Sequence, residues 1–168
     1  MANTNFDPDL GAGRLQFKCT GVRVIDPAGT PPPAGFLSES NNVLDPDKAF
    51  DLIVEWEGDG FMLPLWMHAM QNWKLKAYAE SVGPGSDVTL VVNSLEPKAN
   101  YVLDGSIRKW KHTIHVPAGS LVEGNPSSAN SGVYQLTVTI FANSDIPGGY
   151  DVSGFSQQPI TVRVEDPV

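Results

Sequence analysis

A chain of 168 residues fits one domain and buries roughly 70% of the surface its unfolded form exposes, enough to fold without a metal or a disulfide. Eleven Lys and Arg against nineteen Asp and Glu give a net charge of −8, which repels a phosphate backbone at long range and argues against nucleic acid as a partner. The single cysteine, Cys19, excludes an intramolecular disulfide and favours a reducing compartment, and no apolar window reaches the ~18 residues of a membrane span.

The opening residues MANTNFDPDLGAGR carry no basic segment followed by an apolar one, so no signal peptide is read there; the expected location is cytoplasmic, with leaderless export left open. Residues 1–13 are expected as an N-terminal arm, and residues 14–168 as one β-sandwich domain. The first run is Arg14 to Ile25, with Leu15, Phe17 and Cys19 in one phase and Val22 and Val24 in the other; a bulge near Thr20 and Gly21 reconciles them. A long connection from Asp26 to Lys48 follows, and its prolines at 31, 32 and 33 make the first part extended, stiff loop.

In AFDLIVEWE, Phe50, Leu52, Val54 and Trp56 alternate with Asp51, Ile53, Glu55 and Glu57, the pattern of a half-buried strand. NWKLKAYAES places Trp73, Leu75, Ala77 and Ala79 inward, VGPGS turns the chain, and DVTLVVNSL puts Val88, Leu90 and Val92 in phase. Tyr101 to Leu103 is a candidate short strand. IRKWKHTIHVP sets Trp110, His112, Ile114 and Val116 on one face, VYQLTVTIFA sets Tyr134, Leu136, Val138 and Ile140 inward, and PITVRVED alternates Ile160, Val162 and Val164 with polar residues. Seven main runs and one short one predict an all-β fold, a sandwich of two sheets with Greek-key connections.

SGVYQLTVTIFA resembles the penultimate strand of immunoglobulin-like domains, where a glycine and then a tyrosine two positions later open the strand; Gly132 and Tyr134 occupy those positions. Trp73 stands where that superfamily's buried tryptophan would be, and PITVRVED resembles its terminal strand. The resemblance implies a single immunoglobulin-like or fibronectin-like Greek-key sandwich of about seven strands, with Tyr134 hydrogen-bonding back across a loop as a tyrosine corner. Leu136 replaces the cysteine of antibody domains and AFDLIVEWE has none, so no inter-sheet disulfide is implied. The fold hosts adhesive, sugar-binding, chaperone and structural roles alike.

Candidate chemistry is sparse. His112 and His115 lie three apart on one strand and point to opposite faces, against a shared metal; His112 shares the core phase, and His68 stands apart. No nucleophile motif, paired-cysteine motif or phosphate-binding glycine loop occurs, so no catalytic residue, cofactor or metal is expected. The Asp7–Asp9 and Asp45–Asp47 pairs offer two carboxylates each to calcium and read as solvated loop residues. Arg108, Lys109 and Lys111 read as the solvated face of a strand. An enzyme reading rests only on convergence of Asp104, His115 and Glu123.

The stretch GFMLPLWMHAM, Gly60 to Met70, concentrates apolar mass between two strands and holds every methionine except Met1. Gly58-Asp59-Gly60 is expected to turn the chain into an arch over one end of the sandwich, with room for one short helix within residues 61–70. One reading makes it a plug burying Phe61, Leu63, Leu65 and Trp66. The other leaves Phe61, Met62, Leu65, Trp66, Met67 and Met70 as an adaptable protein-contact surface. The expected function is non-enzymatic: protein contact, through self-association or as a subunit or accessory of a larger assembly. A small-ligand or carbohydrate-binding module using Trp66 with loop carboxylates is the alternative.

Overall fold

The computed structural model describes residues 6–11, 13–29, 43–125, 127, 129–156 and 160–166; the prolines at 31–33, expected as stiff loop, lie outside the described residues. In chain order the elements are β1 (Phe6–Asp7), β2 (Gln16–Ile25), β3 (Val43–Leu44), β4 (Phe50–Asp59), α1 (Leu63–Ala69), β5 (Trp73–Ser81), β6 (Val88–Glu96), β7 (Val102–Asp104), β8 (Ile107–Val116), β9 (Val133–Ala142), β10 (Val152–Phe155) and β11 (Ile160–Val164). The eight expected strands are present, and β1, β3 and β10 are additional. Among the described residues the fold is all-β with one short helix.

Two sheets pack face to face. One contains β2-β4-β8-β7 in that order, antiparallel throughout. The other is built on β9, which pairs with β5 along one side and with β10 and β11 along the other. β6 lies outside β5, β1 outside β10, and β3 runs parallel to β11. Ser156 carries the ladder on beyond β10, its N–H donating to the Val138 carbonyl and its hydroxyl accepting from the Val138 N–H.

The alternating phases correspond to the two inner faces. Phe50, Leu52, Val54 and Trp56 are buried, as are Trp73, Leu75, Ala77 and Ala79 and the inward residues of β9. The pairing of β2 with β4 slips between Cys19 and Gly21, the bulge that the change of phase predicts. On β4 the cover extends to the other face, where Asp51 and Ile53 are also buried. On β6 the expected phase fails: Val92 is 65% exposed, because irregularities in the pairing with β5 interrupt the period of two.

Within the expected 1–13 arm, β1 joins a sheet and Phe6 lies in the core against Phe17. The turn expected at Gly58 begins later, because β4 continues to Asp59. The connection from β4 to β5 does cross from one sheet to the other, so α1 arches over an end of the sandwich.

An aromatic cluster fills the core beneath that arch. Trp73 meets Trp56, Trp110 and Phe17 edge to face at 5.4–5.7 Å, and Trp56 stacks on Trp110 at 6.1 Å. Edge-to-face packing brings an aromatic edge to a neighbour's negative ring face, worth about 0.5–1.5 kcal/mol per pair beyond area burial. Tyr134 is buried and its hydroxyl donates to the Val122 carbonyl at 3.2 Å, the backward bond expected of it.

Candidate functional site

α1 is short because its signals are local. Gly60, at φ +114°, brings the backbone so close to Arg14 that a Cβ there would lie 2.3 Å from its carbonyl oxygen. The N–H groups of Phe61 and Met62 donate to the carbonyls of Gly13 and Arg14, and Pro64 occupies the first turn, where its missing N–H costs nothing. At the other end the Asp145 N–H donates to the Ala69 carbonyl at 2.7 Å and Met70 bridges to Ser144.

The helix divides its apolar residues. Leu63 and Met70 are fully buried, and Met62, Trp66 and Met67 pack half-buried against the core. The Trp66 ring lies 4.8 Å from Phe17 and 5.6 Å from Trp73. Phe61 and Leu65 instead remain 75% and 71% exposed. The plug reading therefore fails for Phe61 and Leu65. The contact reading fails for Met70, whose side chain has no surface to offer.

The adjoining segment adds exposed apolar groups that sequence reasoning missed. Ile146 and Tyr150, 56% and 80% exposed, lie in the 143–151 connection that is hydrogen-bonded to the end of α1. Neither belongs to an alternating run, so no periodic signal marks them. Phe61, Leu65, Ile146 and Tyr150 thus occupy neighbouring segments at one end of the sandwich.

The histidines have separate partners. His115 Nδ1 is 2.9 Å from Asp51, whose other oxygen accepts from the Gly29 N–H, and His68 is exposed. His112 faces inward, as its phase predicts, but is only partly buried. Its Nδ1 lies 2.6 Å from Glu96 Oε2 and its Nε2 lies 2.6 Å from Ser94 Oγ. Asn100 Nδ2 donates to the other Glu96 oxygen. Ser94 and Glu96 lie two apart on β6, a same-side spacing visible in the sequence; their approach to His112 depends on sheet pairing, which is not.

The remaining candidates do not converge. Asp104 pairs with Lys109, His115 with Asp51, and Glu123 accepts from the Asp166 N–H, so the Asp104–His115–Glu123 site is not formed. Asp45, Asp47 and Asp166 come together, but Asp45 binds the Lys48 ammonium at 2.7 Å; that hydrogen bond, with a backbone bond from Asp47, holds its carboxyl below the ordinary value. Arg108 lies over the Tyr101 ring and Lys111 is 3.6 Å from Glu55. Burial pushes the Cys19 thiol up, a hydrogen bond from Gly21 works against this, and the Glu55 charge adds to the rise, a direction that disfavours the thiolate.

The outer face of the β9-centred sheet carries a groove of about 770 Å³ lined by Asp7, Lys76, Tyr78, Phe141, Asp151 and Phe155, among others. Lys76 Nζ sits 5.3 Å from the centre of the Phe141 ring. Among the described residues no helix is long and apolar enough to cross a membrane. Comparison with protein-family models, with curated proteins and with solved structures found no match to this chain.

Proposed function

We propose that this protein is an immunoglobulin-like sandwich that acts through protein contacts, as a homo-oligomer or as a subunit of a larger assembly, using the end capped by α1. One observation carries the reading: Phe61, Leu65, Ile146 and Tyr150 are all more than half exposed on adjoining, hydrogen-bonded segments. Isolated exposed apolar residues are ordinary, whereas four on two hydrogen-bonded segments, with half-buried methionine and tryptophan on the same helix, have the composition of an interface centre. Gly132, and Tyr134 with its bond to Val122, support the immunoglobulin-like part of the proposal.

The test is light scattering and sedimentation across concentration for the wild type and a Phe61→Ser, Leu65→Ser, Tyr150→Ser triple variant. Self-association in the wild type that the triple variant loses, without loss of thermal stability, supports contact between copies. A wild type that is monomeric throughout, and that binds no subunit from its own source organism through this surface, overturns the proposal. A second reading, small-ligand or carbohydrate binding, is favoured by the mixed aromatic and polar lining of the outer groove and not by Trp66, whose ring is occupied in the core cluster.

A further inference from the structure

We infer that Ser94, His112 and Glu96 form an esterolytic site at the seam between the two sheets, acting on small esters. The three groups stand in the order hydroxyl, imidazole, carboxylate, with both links at 2.6 Å, the arrangement that turns a serine into a nucleophile. In the imidazole tautomer that carries its proton on Nδ1, that N–H donates to the Glu96 carboxylate and Nε2 accepts from the Ser94 hydroxyl.

The surroundings grade from closed to open. Glu96 is buried and tied by Asn100, whose own N–H donates to the Pro97 carbonyl. The same 97–100 turn is held by the Trp110 indole N–H, 2.9 Å from the Lys98 carbonyl, and by Lys98 itself on the Met70 carbonyl. The His112 side chain is 14% exposed, and Ser94 is half-buried.

Two features of β6 favour chemistry over a merely structural bond. Its pairing with β5 is irregular between Val91 and Ser94, three steps of β6 facing two of β5, and bulges re-aim side chains beside active sites. Among the described residues β6 pairs only with β5, so the strand that carries Ser94 has an open edge from which a substrate can approach. In the reaction, Ser94 Oγ bonds to the acyl carbon as its proton passes to His112 Nε2. The carbon–oxygen bond of the ester breaks and that proton leaves with the alcohol. Water, deprotonated by His112, then releases the acid and restores the serine.

The experiment is hydrolysis of p-nitrophenyl butyrate by the whole chain, with and without prior treatment by an alkyl fluorophosphonate, followed by peptide mapping. The expected result is one phosphonyl adduct on Ser94 and loss of turnover in proportion to labelling. Ser94→Ala should abolish both, His112→Gln should lower kcat about 100-fold, and Glu96→Gln, which positions the imidazole, should lower kcat at unchanged KM. No adduct on Ser94 in the folded wild type, or turnover that survives Ser94→Ala, overturns the inference. Because wild-type labelling decides alone, a variant that fails to fold leaves the test standing.

Discussion

Leu63 and Leu65 stand two positions apart on α1 with the same side chain and opposite surroundings, the first fully buried and the second 71% exposed. Changing each to alanine removes the same three carbons, so the difference between the two variants reports burial alone. At about 0.8 kcal/mol per buried methylene the transfer loss for Leu63→Ala is about 2.4 kcal/mol, and the cavity it leaves raises the cost to roughly 2.5–5 kcal/mol. Leu65→Ala should stay within about 0.5 kcal/mol, the usual range for a surface substitution. For a chain of 168 residues an unfolding entropy near 2.1 cal/mol/K per residue converts each kcal/mol into about 3 °C, so Leu63→Ala should lower Tm by roughly 7–14 °C. Urea unfolding followed by tryptophan fluorescence is the assay, since all four tryptophans lie in the cluster under the helix. Equal losses for the two variants, or a Leu63→Ala cost below 0.5 kcal/mol, would refute the division of the helix into a buried and an open face.

Gly132→Ala should destabilise by roughly 2–4 kcal/mol in the same assay, because φ is +64° and the new Cβ would meet the Gly124 backbone nitrogen at 2.3 Å. Gly105→Ala is its control, with φ +63° and nothing within 4 Å; it should cost only the left-handed backbone term, about 1–2 kcal/mol. The Lys48 partner holds the Asp45 carboxyl below its ordinary value, so the favourable contribution of this pair is present above the unfolded-state value and lost as pH falls through the lower folded value. Lys48→Gln should therefore move the Asp45 titration upward in a carboxyl-resolved NMR series, and an unmoved inflection would mean the ion pair is not made in solution.

The strands that carry the inner faces are legible in the sequence because their inward residues keep a period of two, even on β4, where Asp51 and Ile53 on the other face are covered as well. Phe50 to Trp56, Trp73 to Ala79 and Tyr134 to Ile140 alternate without a break, and the change of phase in β2 marks its bulge before any pairing is known. β1 and β3, at two residues each, and β10, at four, are too brief for a period to show. β6 misleads beyond Leu90 because its irregular pairing moves Val92 out of phase. In GFMLPLWMHAM the apolar residues look unphased when counted in twos. Leu63, Trp66, Met67 and Met70 are in fact spaced i, i+3, i+4 and i+7, the stripe of a helix face, and Phe61 and Leu65 fall outside it. The Ser94–His112–Glu96 arrangement could not be read from one dimension, because β6 and β8 belong to different sheets and meet only once the sandwich closes.

The position of β9 has a consequence for how the chain is made. During synthesis from the N-terminus, β5 and β6 can pair as soon as both have emerged, but the other side of β5 waits for β9, with β7, β8 and the 117–132 connection still to come. Over that interval a strand bearing Trp73 and Leu75 presents an unpaired edge to its neighbours on the polysome, a template for pairing with the wrong chain. Lys74 and Lys76, which in the finished protein lie beside the Phe141 ring, are charges of the kind that discourage such pairing.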